Sequence, residues 1–175
     1  VRNTWRDTLL GFGMDVVWED NLQKYALIAC AVDEDTTAQI GVWTSDMIGN
    51  WTHYASNPIL TPGTAGQWDD EGVTFPQLHK ENGLWYMFYV GFPANGLENG
   101  ESGIGIATAD TVTGTWTRHV GNPVILAGDV PWVAAAGGTS QIYRPEIVKH
   151  KGKYYMFYNG GKYGDEDIGF SYADS

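Results

Sequence analysis

Two carboxylates stand where they can work as a pair: Asp15 in GMDVVWED and Glu146 in IYRPEIVKHKG. Each lies in the first strand-like stretch of a recurring unit, just ahead of an aromatic second stretch. Paired carboxyl groups do acid–base chemistry when their surroundings keep one protonated and leave the other ionised. Aligning the aromatic stretches on Tyr25, Trp85 and Tyr154 puts Asp15, Phe75 and Arg144 at one position, with Val17, Gln77 and Glu146 two residues on. Arg144 is expected to lower the pKa of Glu146 if the two touch, and Gln77 offers an amide to a bound polar ligand.

A second group sits in the segments that enter the units. Asp69 and Asp70 follow Trp68 in WDDEG, where they either cap a turn or reach a ligand hydroxyl. Trp68 and Trp132 offer flat apolar faces on which a bound ring can stack, whereas Trp5, Trp51 and Trp116 recur unit by unit and read as packing residues. His53, His79, His119 and His150 show no metal-ligand spacing, and the acidic stretches DEDTT and GDEDIG lack the alternating oxygens of a calcium loop. No metal is expected. GFG at 11–13 lacks the third glycine and following helix of a dinucleotide site, and there is no nucleophile elbow or phosphate loop. No cofactor is expected.

The elements that position these side chains follow from a repeat. IGVWTSD at 40–46 returns as IGIATAD at 104–110 and IGFSYAD at 168–174, a step of 64 residues each time. Ahead of each lies an apolar strand, KYALIACAV at 24–32, LWYMFYVGF at 84–92 and KYYMFYNGG at 153–161, too short and too aromatic or β-branched for a surface helix. Ahead of those lie 13–20, 73–83 and 142–152, joined to them by turns rich in Asn, Gly or Lys, which predicts antiparallel hairpins. Behind the IG strand come NWTHYASNPIL at 50–60 and TWTRHVGNPVIL at 115–126. Four meandering antiparallel strands per unit make an all-β chain of three β-propeller blades, at about 13–60, 68–126 and 142–175, within one domain.

The third unit has no fourth stretch, while Trp5 in NTWRDTLL matches Trp51 and Trp116. Residues 3–10 are therefore expected to be the outermost strand of a third blade, closing a bare edge. Three blades fall short of the roughly four to eight that complete a propeller. A strand-exchanged homodimer of six blades is the expected assembly.

Composition narrows the partners. The chain of 175 residues has 10 basic and 21 acidic side chains, a net charge of −11, which repels nucleic acid and anionic membranes. No stretch reaches the 18 or so apolar residues of a membrane helix, and VRNTWRDTLL lacks the apolar core of a secretory signal, so a soluble chain of open compartment is expected. The single cysteine, Cys30, in YALIACAV, reads as a small buried hydrophobe.

The strings WDDEGVTFPQLHKENGLWYMFYVGF and SGIGIATADTVTGTWTRHVGNPVI, and YRPEIVKHKGKYYMFYNGG with DIGFSYADS, resemble blades of the five-bladed propeller glycosidases, the superfamily that includes glycoside hydrolase families 43, 32, 62 and 130. The resemblance implies a funnel at the ring axis where inner-strand carboxylates cleave or bind an oligosaccharide or glycoside. It assigns an inner-strand Asp, often followed by proline, as base or nucleophile. Asp15 keeps the acid but is followed by Val16, while Phe75–Pro76 and Arg144–Pro145 keep the proline and lose the acid. The place of the general acid in family 43, two residues before a similar proline, holds Tyr143, and Glu146 lies nearer the place of the supporting acid. Glycosidic cleavage needs carboxyl groups about 5–5.5 Å apart for retention or about 6.5–9.5 Å for inversion. The expected function is a glycoside hydrolase working through Asp15 and Glu146, with Arg144, Gln77, Trp68, Asp69, Asp70 and Trp132 on the sugar; the other reading is a non-catalytic sugar-binding or scaffold propeller.

Overall fold

The computed structural model describes residues 9–32, 37–93, 101–134, 140–162 and 165–174. Blade 1 contains β1 (Leu9–Glu19), β2 (Lys24–Val32), β3 (Ala38–Ser45) and the short β4 (Thr52–His53). Blade 2 contains β5 (Gly72–Glu81), β6 (Leu84–Phe92), β7 (Gly103–Ala109) and two short strands, β8 (Thr117–Arg118) and β9 (Ile125–Leu126). A 3-10 turn (Ala127–Asp129) and a single helical turn, α1 (Pro131–Ala134), lead to blade 3, formed by β10 (Gln141–His150), β11 (Lys153–Lys162) and β12 (Asp165–Asp174). Successive long strands within each blade pair antiparallel, and one parallel pair, Ala38 with Gly72, ties blade 1 to blade 2. The chain is all-β with antiparallel sheets, the architecture of a partial propeller.

Hairpin loops set the register. Asn82–Gly83 and Lys151–Gly152 are two-residue turns with positive φ at both positions (51° and 82°, 48° and 74°), the geometry that matches strand twist. The first hairpin instead closes at Glu19 with Lys24, leaving four residues in its loop. Counting back a fixed number from Tyr25, Trp85 and Tyr154 therefore misaligns blade 1 by two residues. In the ladders Asp15 faces Ile28, Gln77 faces Phe88 and Glu146 faces Phe157. The equivalent set is Asp15, Gln77 and Glu146, and Phe75 and Arg144 are equivalent to Gly13. All three of these last residues have left-handed φ, at 83°, 48° and 55°, within a register shift.

The fourth stretches differ from the expected continuous strands at 50–60 and 115–126. Only Thr52–His53, Thr117–Arg118 and Ile125–Leu126 pair as strand. Between them an asparagine side chain substitutes for the main chain. Val42 N–H donates to Asn57 Oδ1 at 2.9 Å while Asn57 Nδ2 donates to the Val42 carbonyl at 2.8 Å. Asn122 makes the same two bonds to Ile106, both at 2.9 Å. A carboxamide carries the same donor and acceptor as a peptide group, so the exchange satisfies the ladder ahead of Pro58 and Pro123, which have no N–H to give.

The core lies between blades. One cluster joins Ile28, Ile40 and Val42 of blade 1 to Leu78, Trp85 and Met87 of blade 2. Another joins Phe75, Val90 and Ile104 of blade 2 to Ile142, Ile147, Met156 and Tyr158 of blade 3. Cys30 is buried and free. The repeated IG glycine has a packing cause. A Cβ at Gly105 would stand 2.8 Å from the Trp68 ring, and one at Gly169 would stand 2.5 Å from the Trp132 ring. Of the stretch 3–10, Leu9 and Leu10 already belong to the inner strand β1, and residues 3–8, Trp5 among them, lie outside the described residues.

Candidate functional site: the inner strands

Each of the three inner strands β1, β5 and β10 carries a register shift. Gly13 lies so close to Phe75 that an added Cβ would meet its Cα at 2.8 Å, which explains why this bulge position alone is glycine. The Phe75 ring stacks on Tyr143 at 5.8 Å and 29°. Left-handed backbone in a bulky residue such as Phe75 or in Arg144 is strained, and persists where neighbours over-determine it.

Beyond the bulge, Asp15, Gln77 and Glu146 follow at one register level. Asp15 Oδ1 accepts from the Val16 N–H at 2.7 Å and Oδ2 from the Leu78 N–H at 2.8 Å, so the carboxylate bridges β1 and β5. Gln77 Nε2 donates to the Leu78 carbonyl at 2.9 Å, while its Oε1 is buried without a hydrogen-bond partner among the described residues. An orphaned buried acceptor calls for an explanation, and a ligand donor supplies one. Glu146 has its pKa raised, first by loss of hydration and then by the negative charge of Asp15. The two carboxylates thus sense each other across the blades.

Arg144 does not act on Glu146 as its position in sequence suggested. Its guanidinium lies over the rings of Phe75 at 5.7 Å and Tyr143 at 5.5 Å, and Glu146 is shifted up rather than down. Arg144 remains exposed.

The other named residues have contacts elsewhere in the blades. Asp69, 2 % exposed, accepts from Tyr89 Oη at 3.1 Å and Arg118 Nε at 3.0 Å. Burial, together with the charge of Asp69, pushes the Tyr89 hydroxyl well above its usual pKa. Asp70 Oδ2 accepts from Gly66 N–H at 2.6 Å and so caps the turn it follows. Trp68 fills the groove over Gly91, Gly103 and Gly105 beside Tyr89, and Trp132 fills the matching groove over Gly160 and Gly169, stacked on Tyr158 at 6.3 Å and 11°. The structure therefore carries Asp15, Gln77, Arg144 and Glu146 on the inner strands, seats Trp68, Asp69 and Trp132 against the sheets, and holds Asp70 in the turn before β5, with its Oδ1 buried and without a hydrogen-bond partner among the described residues.

Glu19 was not singled out by its sequence, yet it is fully buried between blades 1 and 2. Its Oε2 accepts from Trp85 Nε1 at 2.7 Å and from Val112 N–H at 3.1 Å, and Oε1 accepts from Asn21 N–H at 3.2 Å. Burial acts to raise its pKa, and the hydrogen bonds with the nearby Lys80 charge outweigh that, leaving it below the ordinary value. The signal in sequence is its recurrence: Glu81 ends β5 as Glu19 ends β1, and Lys149 is to Glu81 what Lys80 is to Glu19.

The fold is similar to solved glycoside hydrolases. A thermostable family-43 glycoside hydrolase superimposes with a TM-score of 0.70 at 22 % identity, over 94 % of this chain and 53 % of that one. A family 117 glycoside hydrolase produced by the marine bacterium Zobellia galactanivorans gives 0.65 at 23 %, over 91 % and 42 %. A sucrose-6-phosphate hydrolase from Lactobacillus gasseri gives 0.68 at 18 %, over 87 % and 30 %. The chain thus spans about half the length of the first of these and less of the others. No protein-family model and no curated protein matches the sequence.

Proposed function

We propose that this chain forms the inner-strand part of a glycoside hydrolase site, with an oligosaccharide or glycoside as substrate. Glu146 donates a proton to the leaving oxygen, and Asp15 acts as base or nucleophile on the other face of the sugar. The observation that carries this reading is that Asp15, Gln77 and Glu146 share one register level on the three inner strands, with the Glu146 carboxyl pKa raised by loss of hydration and by the charge of Asp15. Gln77 Oε1 and the Arg144 guanidinium hold sugar hydroxyls.

The apolar face of blade 3 supports completion of the ring by a second copy. Ile168 is 75 % exposed at the position where Ile40 and Ile104 are fully buried against the next blade. A ring of six blades places Asp15 of each copy beside blade 3 of its partner.

A panel of aryl glycosides tests the chemistry. Turnover that Asp15→Asn and Glu146→Gln each reduce by orders of magnitude supports the assignment. Sugar binding with no turnover on any member favours the binding-module reading, and turnover unchanged in both variants overturns the site.

A further inference from the structure

We propose that the sugar bound at the inner strands is a uronate and that the guanidinium of Arg144 holds its carboxylate, an inference that rests on the reading of these strands as a sugar site.

The seat of Arg144 is built from the bulges. Its position in β10 matches Gly13 in β1 and Phe75 in β5, and of the three only Arg144 carries a charge. The backbone there is left-handed, with φ at 55°, a conformation that a residue with a long side chain seldom adopts and that functional sites retain at a cost. Aromatic neighbours hold the side chain. Phe75 and Tyr143 are 5 % and 8 % exposed and stack on each other at 5.8 Å, and the Arg144 guanidinium lies over both rings, at 5.7 and 5.5 Å. A ring face attracts a cation without neutralising it, so the group is positioned with its full charge.

That charge is not spent within the described residues. Lys24, Lys80, Arg118, Lys149 and Lys153 each meet a carboxylate, whereas Arg144, which is exposed, meets none among the described residues. Glu146, two residues along the same strand, responds to lost hydration and to the charge of Asp15 and not to the guanidinium.

A positioned, exposed guanidinium is the natural partner of a planar anion. Its N–H donors fork onto both oxygens of a carboxylate, a contact stronger and more directional than one to a hydroxyl. The sugar that carries such a group is a uronate, and the donors that its carboxylate leaves free still hold a ring hydroxyl. The net charge of −11 does not stand against one carboxylate. Charges farther away than about 8 Å are largely screened at physiological salt, while a contact pair is screened much less.

A panel of 4-nitrophenyl hexuronides, each paired with the neutral hexoside of the same configuration, is titrated into the purified chain by isothermal calorimetry. At least one uronide should bind about tenfold or more tightly than its hexoside. Arg144→Gln should abolish most of that preference, and Arg144→Lys, which keeps the charge and loses the planar fork, should retain an intermediate part of it. Uronide preference without turnover supports this inference while removing hydrolysis. Equal affinity within every pair overturns the uronate and leaves the sugar site standing, whereas no binding of any glycoside overturns both. Tighter binding of a hexoside bearing a phosphate or sulfate ester at the same carbon assigns Arg144 to a tetrahedral oxyanion and overturns the carboxylate. A preference unchanged in Arg144→Gln overturns the role of Arg144.

Discussion

Asp15 Oδ2 accepts a 2.8 Å hydrogen bond from the backbone N–H of Leu78, so the blade 1 carboxylate is fixed to the residue that follows Gln77 on the neighbouring inner strand. Glu146 occupies the same register level on the third strand, and its proton is held more tightly because of its own desolvation and the charge of Asp15. The pair is positioned by three main-chain bulges rather than by loops, which favours a constant separation of the two carboxyl groups.

The first prediction concerns pH. A general acid works only while protonated, so activity on an aryl glycoside should fall as pH rises through the Glu146 pKa, at a value above that of an ordinary glutamate. Asp15→Asn removes one of the two causes of the shift and should move any residual alkaline limb to lower pH. Pre-steady-state or steady-state rates against pH check this, and an alkaline limb unmoved in Asp15→Asn counts against coupling of the pair.

Glu19 should matter to stability and not to the sugar. Glu19→Gln keeps the shape but loses the charge that Trp85, Val112 and Lys80 address, and about 1–3 kcal/mol of stability should go with it. The sign follows from its lowered pKa: the contribution is present above the unfolded-state value and is lost as pH falls through the folded-state value. Urea unfolding should show the wild-type advantage over Glu19→Gln at neutral pH and its disappearance in acid. A constant difference at all pH values would disprove the charge argument.

Gly105→Ala should destabilise the chain by about 1–3 kcal/mol, because the new methyl would stand 2.8 Å from the Trp68 ring, closer than van der Waals contact allows. The double variant with Trp68→Leu should cost less than the sum of the two single changes, as expected when both act on one contact. Thermal melts of the four proteins give the interaction energy directly.

Asn57→Ala leaves the Val42 N–H without its acceptor, while the Val42 carbonyl keeps the Tyr54 N–H at 3.1 Å, in a site where Asn57 is 8 % exposed. A loss of about 1–3 kcal/mol is expected from one buried donor left without a partner. Asn57→Asp, which keeps the acceptor for Val42 N–H and loses the donor, should cost a different amount, and equality of the two variants in urea unfolding would argue that packing alone is at stake.

Light scattering checks the assembly. A particle of twice 19.3 kDa is expected for the six-bladed ring, and Phe170→Asp, on the exposed face of blade 3, should return it to one chain. A single-chain mass for the unaltered protein at all concentrations would rule the two-copy ring out.

Periodicity alone determined the three long strands of each blade. IG at a fixed step, aromatic runs of about nine residues and two-residue Asn–Gly or Lys–Gly turns each act locally, through side-chain alternation and backbone conformation, so they are visible without knowing what they pack against. Asp15 and Glu146 were legible for the same reason, as acids inside strand-forming stretches. Their equivalence was hidden by two extra residues in the 20–23 loop, because register is fixed by hydrogen bonds across the ladder and not by distance along the chain. Only the tertiary structure laid Arg144 on Phe75 and Tyr143, sank Trp68 and Trp132 into glycine grooves, and buried Glu19 between blades. Each of those outcomes depends on which residue arrives from another blade, and desolvation and ring contact are properties of the meeting surfaces rather than of any one segment.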